Sequence, residues 1–557
     1  MISLKNKLTA VLAFCLCVCM ARGNVKADTK PSPRIINIVN FIRQTDYRVE
    51  DADRLLYETV CEQLKLVNRY DLPATFLLQY DALINPLYQK LLKTQLNNHG
   101  EIGAWWEITQ PHVEAAGLKW RGEHSWVSHA NIAFSTGYTK EERERLVDVY
   151  MSKFHEVFGT YPESVGSWFI DAHTLAYMHD KYGITASCNC KDQIGTDGYT
   201  LWGGYWNQAY YPSRLNAYMP AQTAEGQIPV PVFRMLGSDP IYQYDDGLGR
   251  DRQGVISLEP VYAHAGMNRK WVDYFFDAII NRPCLAFNYA QAGQENSFTW
   301  EGMRKGLEMQ IPLIDSLRRA GKIRVETLGQ SGLWFRKNFK TTPATAVTAL
   351  DDVRGENNKT VWYNSRHYRA NLLWERGTFR FRDIHLFDER YKSDYLDNPG
   401  SGNQFLFYTL PFVDGFIWSE GNNRAGLRLV SLQPDGTAEE LALNNPTVTD
   451  RDTDKLVVEG NDSNGRIFRI TFLDDRFNVE CDNTDKNFTW ALELRTAPGK
   501  QLPFTSINEK YVKAVFNGFR YTVGCRKGRF SKAGDNESHI LRIHPSGRSL
   551  SISCRNR

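Results

Sequence analysis

The stretch Asn98-His99-Gly100-Glu101-Ile102-Gly103-Ala104-Trp105-Trp106-Glu107 decides the fold of this chain. It follows an apolar run at 74–78 and a segment with helical spacing, so a strand, a helix and a second strand form a βαβ unit. In a parallel barrel the chemistry lies at the carboxyl ends of the strands. Two tryptophans and a carboxylate at such an end predict a sugar-binding surface beside an acid or a base. The alternative is that the tryptophans belong to the core and Glu107 begins a helix.

Similar units follow one another along the chain. Apolar runs alternate with helical stripes from Arg34 to about residue 340, which makes seven or eight βα units. The clearest helix starts after Thr139-Lys140-Glu141-Glu142, which fits a capping box, and ends at Gly159. Residues 191–250 are rich in Gly, Tyr and Trp without periodicity. A long irregular insertion of this kind in a barrel is typical of a substrate-binding loop.

The pattern changes near Pro343, beyond which short alternating runs replace helical periodicity. Turn residues separate these runs, which is typical of an antiparallel β-sandwich. We therefore predict an α/β fold, with a distorted (β/α)7–8 barrel over residues 30–340 and a β-sandwich domain over residues 344–557. No linker rich in Pro, Gly or Ser separates the two, so we expect them to pack together.

Composition excludes some classes of partner. The net charge of +3 over 557 residues is too small to indicate binding to nucleic acid or to an anionic membrane. Aromatic residues make up 13% of the chain, and flat amphipathic rings suit the faces of sugars, although they also fill cores. The partner we expect is a polysaccharide or oligosaccharide.

The first 27 residues read as a signal peptide, with Lys5 and Lys7 before an apolar stretch and Val25-Lys26-Ala27 as a cleavage site. We expect a secreted or periplasmic protein without a transmembrane segment in the mature chain. A lipoprotein is a weaker alternative, since the cysteines of the apolar stretch lack a suitable context. Seven cysteines remain, an odd number that favours buried free thiols, with one bridge among the last three left open.

Residues 34–200 resemble the polysaccharide deacetylase superfamily. Leu72-Pro73-Ala74-Thr75-Phe76 is similar to its "pATFF" strand, His99-Gly100-Glu101-Ile102-Gly103 to its "GHEIG" turn, and Phe158-Gly159-Thr160-Tyr161-Pro162 to its "G-x-x-P" motif. The resemblance implies a distorted seven-stranded barrel. The whole chain also resembles uncharacterised secreted proteins of gut Bacteroidetes that are described as glycoside hydrolase/deacetylase, with a barrel followed by a β-sandwich.

The chain departs from the superfamily at the metal site. Metal-dependent deacetylases carry an Asp-Asp pair where this chain has Asn40-Phe41-Ile42-Arg43, and their two metal histidines would fall at Trp105 and Thr109. Neither residue type is a suitable ligand. The remaining histidines have no ligand spacing, so we predict no metal and no cofactor.

Carboxylates follow several predicted strands. Glycoside hydrolysis needs two carboxyl groups beside one bond, and we predict that Glu107, Asp171 and Glu295 supply them. Asp171 also stands where the next helix needs an N-cap, which is the competing interpretation. The predicted substrate-binding residues are Asp46, Trp105, Trp168, His264, Asn288 and Gln294.

Three functions remain open at this point. The first is a secreted glycosidase that uses paired carboxylates without a metal, by analogy with metal-free retaining glycosidases among related barrels. The second is a deacetylase-type hydrolase with an atypical metal site. The third is a carbohydrate-binding protein on a degenerate barrel.

Overall fold

The computed structural model describes residues 32–450, 452–482, 485, 487–533 and 540–556. The signal peptide predicted over residues 1–27 lies outside them. In the described part of the chain before Asn338 the strands are β1 (Arg34–Ile42), β2 (Thr75–Leu78), β3 (Glu101–Trp105), β4 (Ser164–Gly166), β5 (Ala186–Asn189), β6 (Gln193–Thr196), β7 (Tyr199–Trp202), β8 (Ala209–Tyr210), β9 (Val232–Arg234), β10 (Asn288–Ala292) and β11 (Arg324–Glu326).

Helices alternate with most of these strands. They are α1 (Ala52–Arg69), α2 (Tyr80–Ile84), α3 (Pro86–Gln95), α4 (Gln110–Ala115), α5 (Ala130–Ala133), α6 (Lys140–Phe158), α7 (Ala172–Tyr182), α8 (Arg269–Ile280), α9 (Thr299–Arg319) and α10 (Leu328–Asn338). The capping box predicted at Thr139 is present at the start of α6, and Gly159 ends that helix in the left-handed conformation. Local sequence therefore sets these boundaries as expected.

Seven parallel strands form the wall of the barrel, in the spatial order β10-β1-β2-β3-β4-β5-β9. In the described chain no backbone ladder joins β9 to β10, and the rings of Phe233 and Tyr289 meet across this seam at 4.9 Å. The short strand β11 pairs with β1 near its start. This is the distorted barrel that the sequence predicted, and its chemistry is expected where its strands end.

Among the described residues after α10, the regular elements are all strands. They are β12 (Thr345–Ala349), β13 (Lys359–Asn364), β14 (Tyr368–Glu375), β15 (Thr378–Leu386), β16 (Phe405–Tyr408), β17 (Leu410–Asp414), β18 (Gly426–Leu432), β19 (Ala438–Glu440), β20 (Asn444–Asp450), β21 (Leu456–Asn461), β22 (Ile467–Leu473), β23 (Arg476–Asp482), β24 (Trp490–Arg495), β25 (Phe504–Ile507), β26 (Tyr511–Phe516), β27 (Phe519–Lys527), β28 (Arg529–Ala533), β29 (Ile540–His544) and β30 (Ser549–Ser553).

Two antiparallel sheets of these strands pack against each other and confirm the predicted sandwich. One has the order β12-β13-β14-β15-β18-β24-β29-β28, and the other β20-β21-β22-β23-β30-β27-β26-β25. Phe381 of the first sheet contacts Phe472 and Phe477 of the second, at ring distances of 6.4 and 5.3 Å. The seven cysteines of the described chain are all unpaired. Among the described residues, no helix is both long and apolar enough to cross a membrane.

A buried ionic network joins the sandwich to the barrel. Arg369 of β14 donates to Asp192, which follows β5, and its Nε lies 2.8 Å from Asp383 Oδ1 on β15. Arg234 of β9 reaches the other oxygen of Asp192 at 2.6 Å. All four side chains are at most 1% exposed. These buried ion pairs link residues of the barrel part of the chain to two strands of the sandwich.

Arg369→Met should lower the free energy of unfolding by about 3–5 kcal/mol, because it removes the buried guanidinium between Asp192 and Asp383 and leaves Arg234 as the one arginine of the network beside two buried carboxylates. Urea unfolding monitored by tryptophan fluorescence measures this change. The control is Arg54→Met, which removes exposed ion pairs to Asp51 and Glu58 and should cost less than about 1 kcal/mol. Equal effects of the two substitutions would contradict the network's role.

Candidate active site

The carboxyl ends of β1, β3 and β10 open into one cavity of about 240 Å³. The polar residues after these strands thus lie at the carboxyl-terminal face of the barrel, where parallel barrels have their active sites. The cavity is lined by Arg43, Asp46, Arg48, Val49, Glu107, Trp126, Ser128, Phe134, Trp168, Asp197, Glu295, Ser297 and Phe298.

Arg43 occupies the centre of the charged side of this cavity. Its Nε and Nη2 donate to the two oxygens of Glu107 at 2.9 and 2.8 Å. Its Nη1 lies 3.2 Å from Glu295 Oε2 and 3.4 Å from Asp46 Oδ2. Burial alone would lower the pKa of Arg43, but the charges of Glu107 and Glu295 outweigh it and raise that pKa. One guanidinium therefore bridges three carboxyl groups.

Glu107 accepts four hydrogen bonds from three side chains. Besides the two from Arg43, its Oε2 accepts one from Trp105 Nε1 at 2.8 Å and one from Gln79 Nε2 at 3.1 Å. Oε2 therefore accepts three hydrogen bonds, and Oε1 accepts one, from Arg43. The side chain is 1% exposed. Glu107 follows β3 and lines the cavity, but the structure pairs it with Arg43 and gives it Trp105 as a further donor, whereas we predicted a catalytic carboxyl group there.

Glu295 differs from Glu107 in having one oxygen, Oε2, that accepts no hydrogen bond within the described chain and contacts only the charge of Arg43. Its Oε1 accepts a hydrogen bond from Ser297 Oγ at 2.6 Å, whereas its buried Oε2 has no hydrogen-bond donor among the described residues. Burial raises the pKa of Glu295 to about 7, with Arg43 acting against this shift and Glu107 adding to it. The carboxyl group is therefore partly protonated near neutral pH, which is what a general acid requires.

The loop that carries Glu295 is held from both sides. Gly293 has φ +98°, and a Cβ there would lie 2.2 Å from the carbonyl oxygen of Val39, so the turn after β10 needs glycine. Asn296 then brackets the backbone of Arg43: its Oδ1 accepts from Arg43 N at 2.9 Å, and its Nδ2 donates to Arg43 O at 2.8 Å. Glu295 and Arg43 therefore keep a fixed relative position.

Gln294, predicted to bind substrate, is buried behind the cavity instead. Its Nε2 donates to Glu259 Oε1 at 2.9 Å, and its Oε1 accepts from the backbone N–H of Glu295 at 2.8 Å. Burial raises the pKa of Glu259, while hydrogen bonds from Ser257 and Gln294 lower it. Gln294 thus orients the residue that lines the cavity.

Asp171 does not line the cavity. The structure gives it the alternative role that the sequence offered, that of a helix N-cap. It is the N-cap of α7, where its Oδ1 accepts from the backbone N–H of Thr174 at 3.0 Å. Arg143 lies 3.0 Å from the same oxygen. Burial alone would raise the pKa of Asp171, but the charge of Arg143 and hydrogen bonds from Ser135 and Thr174 lower it. The prediction missed Arg143 because it is 28 residues away in sequence.

The predicted binding residues divide into two groups. Asp46 and Trp168 line the cavity, and Trp105 lies next to it, 5.5 Å from Trp168 between ring centres. His264 is exposed outside the cavity, where its Nε2 is 2.9 Å from the carbonyl oxygen of Val255. Asn288 stands at the start of β10, the end remote from the cavity, and accepts from Gln208 Nε2 at 2.7 Å.

Several residues of the cavity were not predicted. Arg43 directly follows β1, but a single arginine in the sequence does not indicate which carboxylates it contacts in the fold. Trp126 packs over Arg43 with 4.1 Å between Cζ and the ring centre, and Phe298 is 38% exposed at the opening. Asp197 lies in the irregular insertion, where the Asp-Gly pair that follows β6 was the available signal for a hairpin.

The residues present do not fit a divalent metal. A positive guanidinium stands between the three carboxyl groups, and Trp105, at a position where the resemblance would require histidine, donates to Glu107 instead of offering a lone pair. In the described chain no group of three His, Cys, Asp or Glu side chains has the geometry to hold an ion. Arg43 thus supplies the positive charge of the cavity.

Comparison with solved structures finds similarity to proteins described as glycoside hydrolase/deacetylase, polysaccharide deacetylase and acetyl xylan esterase. A candidate glycoside hydrolase/deacetylase from Parabacteroides distasonis is 14% identical, with coverage of 68% of this chain and 92% of that chain and a TM-score of 0.49. A candidate polysaccharide deacetylase from Mycobacterium smegmatis is 11% identical, with coverage of 56% and 92% and a TM-score of 0.35.

A family 4 acetyl xylan esterase from Clostridium thermocellum, solved with a cobalt ion, is 10% identical, with coverage of 55% and 94% and a TM-score of 0.25. No protein-family model matches the chain, and no curated protein matches it. The chemistry of the site is therefore derived from its own residues.

Glu295 should make stability depend on pH. Its folded pKa of about 7 exceeds the ordinary value of 4.5, so the native state binds more protons than the unfolded state between these values, and stability falls as pH rises through this window. The loss should amount to roughly 3 kcal/mol. Glutamine does not titrate. The free energy of unfolding of Glu295→Gln should therefore rise relative to that of the native chain as pH increases from 4.5 to 7, and the difference should persist above pH 7. Unfolding curves that stay parallel across this range would contradict the assignment.

Proposed function

We propose that this chain is a carbohydrate-active hydrolase that cleaves glycosidic bonds without a metal, in the cavity around Arg43. The observation that supports this most is Glu295. It is a buried carboxyl group with a raised pKa, its Oε2 accepts no hydrogen bond from the described residues and lies 3.2 Å from Arg43 Nη1, and the same cavity holds the carboxylate of Glu107. A second carboxyl beside a protonated one is the arrangement that glycoside hydrolysis uses.

Glu295 is the general acid in this proposal. Protonated Oε2 donates its hydrogen to the oxygen of the scissile bond as the bond to the anomeric carbon breaks. The carboxylate that remains lies 3.2 Å from Arg43 Nη1. Since this attraction grows only as the proton leaves, it stabilises the transition state more than the bound substrate.

Glu107 and Asp46 balance the charge of the cavity. Arg43 is paired with Glu107, and the half-exposed Arg48 holds Asp46 through both oxygens, at 2.8 and 2.7 Å. Burial would raise the pKa of Asp46, but hydrogen bonds from Arg48 and the charge of Arg43 lower it, so Asp46 stays ionised. With Glu295 protonated these charges cancel, and the negative charge of Glu107 favours the positive charge that develops on the sugar ring.

Aromatic rings suit the cavity for a sugar. Trp126, Trp168 and Phe298 line it. Tyr47, which is 50% exposed, lies beside Trp126 and stacks on His124, with 4.5 Å between the ring centres of Tyr47 and His124. Flat rings of this kind pack against the C–H faces of pyranose rings. A polysaccharide or oligosaccharide is therefore the substrate class that we propose, and secretion or export to the periplasm is the location that its signal-like first residues support.

Polysaccharide deacetylation is the second candidate, favoured by the motif at His99–Gly103 and its neighbours in sequence. This reaction in its metal-dependent form needs ligands that Trp105 and Thr109 do not provide. The two candidates release different products, because a glycosidase creates new reducing ends and a deacetylase releases acetate.

Glu295→Gln should reduce glycosidic cleavage by about 10²–10⁴-fold, because glutamine cannot donate the proton. The assay measures reducing ends and acetate from a panel of acetylated and plain polysaccharides, before and after treatment with a chelator. We expect reducing ends, unchanged by the chelator. The control is Glu301→Gln, at an exposed position on α9 outside the cavity, which should keep full activity.

Release of acetate alone, lost on chelation, would favour the deacetylase instead. Binding of glycans without any product would favour a carbohydrate-binding protein.

A further inference from the structure

The hairpin β6–β7 brings a fourth carboxyl group into the cavity, besides those of Asp46, Glu107 and Glu295. Asp197 and Gly198 form its tip, with φ of 39° and 81°, and a two-residue turn with positive φ at both positions suits the twist of a hairpin. Asp197 lines the same cavity as Glu295 and is exposed. The insertion thus adds a carboxylate that does not come from a barrel strand.

The position of this tip is fixed by the second half of the chain. Strand β16 pairs with β7 in parallel, and Phe405 N donates to the carbonyl oxygen of Gly198 at 2.8 Å. A Cβ at Gly198 would lie 2.6 Å from Ser128 O and 2.9 Å from Asn403 O, so the tip is wedged between two segments. Asp197 is therefore presented to the cavity by a packed turn.

Asp197 and Glu107 differ in what they offer to a substrate. Glu107 is 1% exposed, and both of its oxygens already accept hydrogen bonds from Arg43, with two more on Oε2 from Trp105 and Gln79. Asp197 has no hydrogen bond or ion pair with any part of the chain that the structure describes, and its carboxylate is open to water. Only an open carboxylate can accept a proton from a water molecule.

We propose that Asp197 is the catalytic base that activates the attacking water, which rests on the proposed glycosidase function. Asp197 takes one proton from the water as the water oxygen bonds to the anomeric carbon. The bond from that carbon to the leaving oxygen breaks, and Glu295 gives its proton to the leaving oxygen. One water is consumed, and the reaction inverts the configuration at the anomeric carbon.

The test compares Asp197→Asn with the matched control Asp251→Asn, an exposed aspartate of the loop that touches Gly195 but does not line the cavity. Asp197→Asn should lower kcat by about 10²–10⁴-fold, whereas the control should keep it. Because azide needs no deprotonation, added azide should restore turnover of Asp197→Asn and give a glycosyl azide. Proton NMR of the native reaction should show the inverted anomer first.

The outcomes separate the two proposals. If Glu295→Gln abolishes cleavage while Asp197→Asn retains it, or if the product keeps its configuration, Asp197 is not the base and the glycosidase proposal stands. If Asp197→Asn loses activity that azide does not restore, the assignment is also overturned, because a merely structural role would explain the loss. A native chain that cleaves no glycosidic bond in the panel overturns both.

Discussion

The contact between the guanidinium of Arg43 and the carboxylate of Glu107 is the interaction on which the site depends. Both side chains are almost fully buried, so neither charge can be solvated by water. Because Arg43 also lies close to Asp46 and Glu295, the positions of three strand-end loops are tied to one group. The same group donates hydrogen bonds to both oxygens of Glu107, whereas its contact with Glu295 Oε2 is an ion pair at 3.2 Å.

The second half of the chain contributes to the cavity as well as to stability. The buried network of Arg369, Asp192, Asp383 and Arg234 holds the sandwich on the barrel, and β16 extends from it to pair with β7. The hairpin that carries Asp197 is thus supported by residues more than 200 positions later in the sequence. This arrangement explains why the sandwich begins within a few residues of α10, without a flexible linker.

The sequence predicted the parts of the structure that follow from local pattern. Strand and helix periodicity indicated the barrel and the sandwich, and carboxylates placed after apolar strands indicated Glu107 and Glu295, which the structure brings to Arg43. Asp171 has the same local pattern, yet it caps α7 and pairs with Arg143. A strand-end carboxylate and a helix N-cap occupy the same position in a βα unit, so only the tertiary partner separates them.

Long-range contacts account for what the sequence did not predict. Arg43 became the centre of the site because three loops converge on it, and no spacing along the chain records that convergence. Gln294 was expected at the substrate and instead donates to Glu259, because the turn at Gly293 directs Glu295 towards the cavity. Asp197 reaches the cavity only because β16 holds its hairpin there.

A crystal structure of the Glu295→Gln chain soaked with an oligosaccharide that the native enzyme cleaves tests the central claim most directly. The account predicts a glycosidic oxygen within hydrogen-bond distance of the amide of residue 295, with the sugar rings against Trp126 and Trp168. An oligosaccharide bound away from Arg43, with this cavity left without sugar, would contradict the claim that the cavity is the place of catalysis.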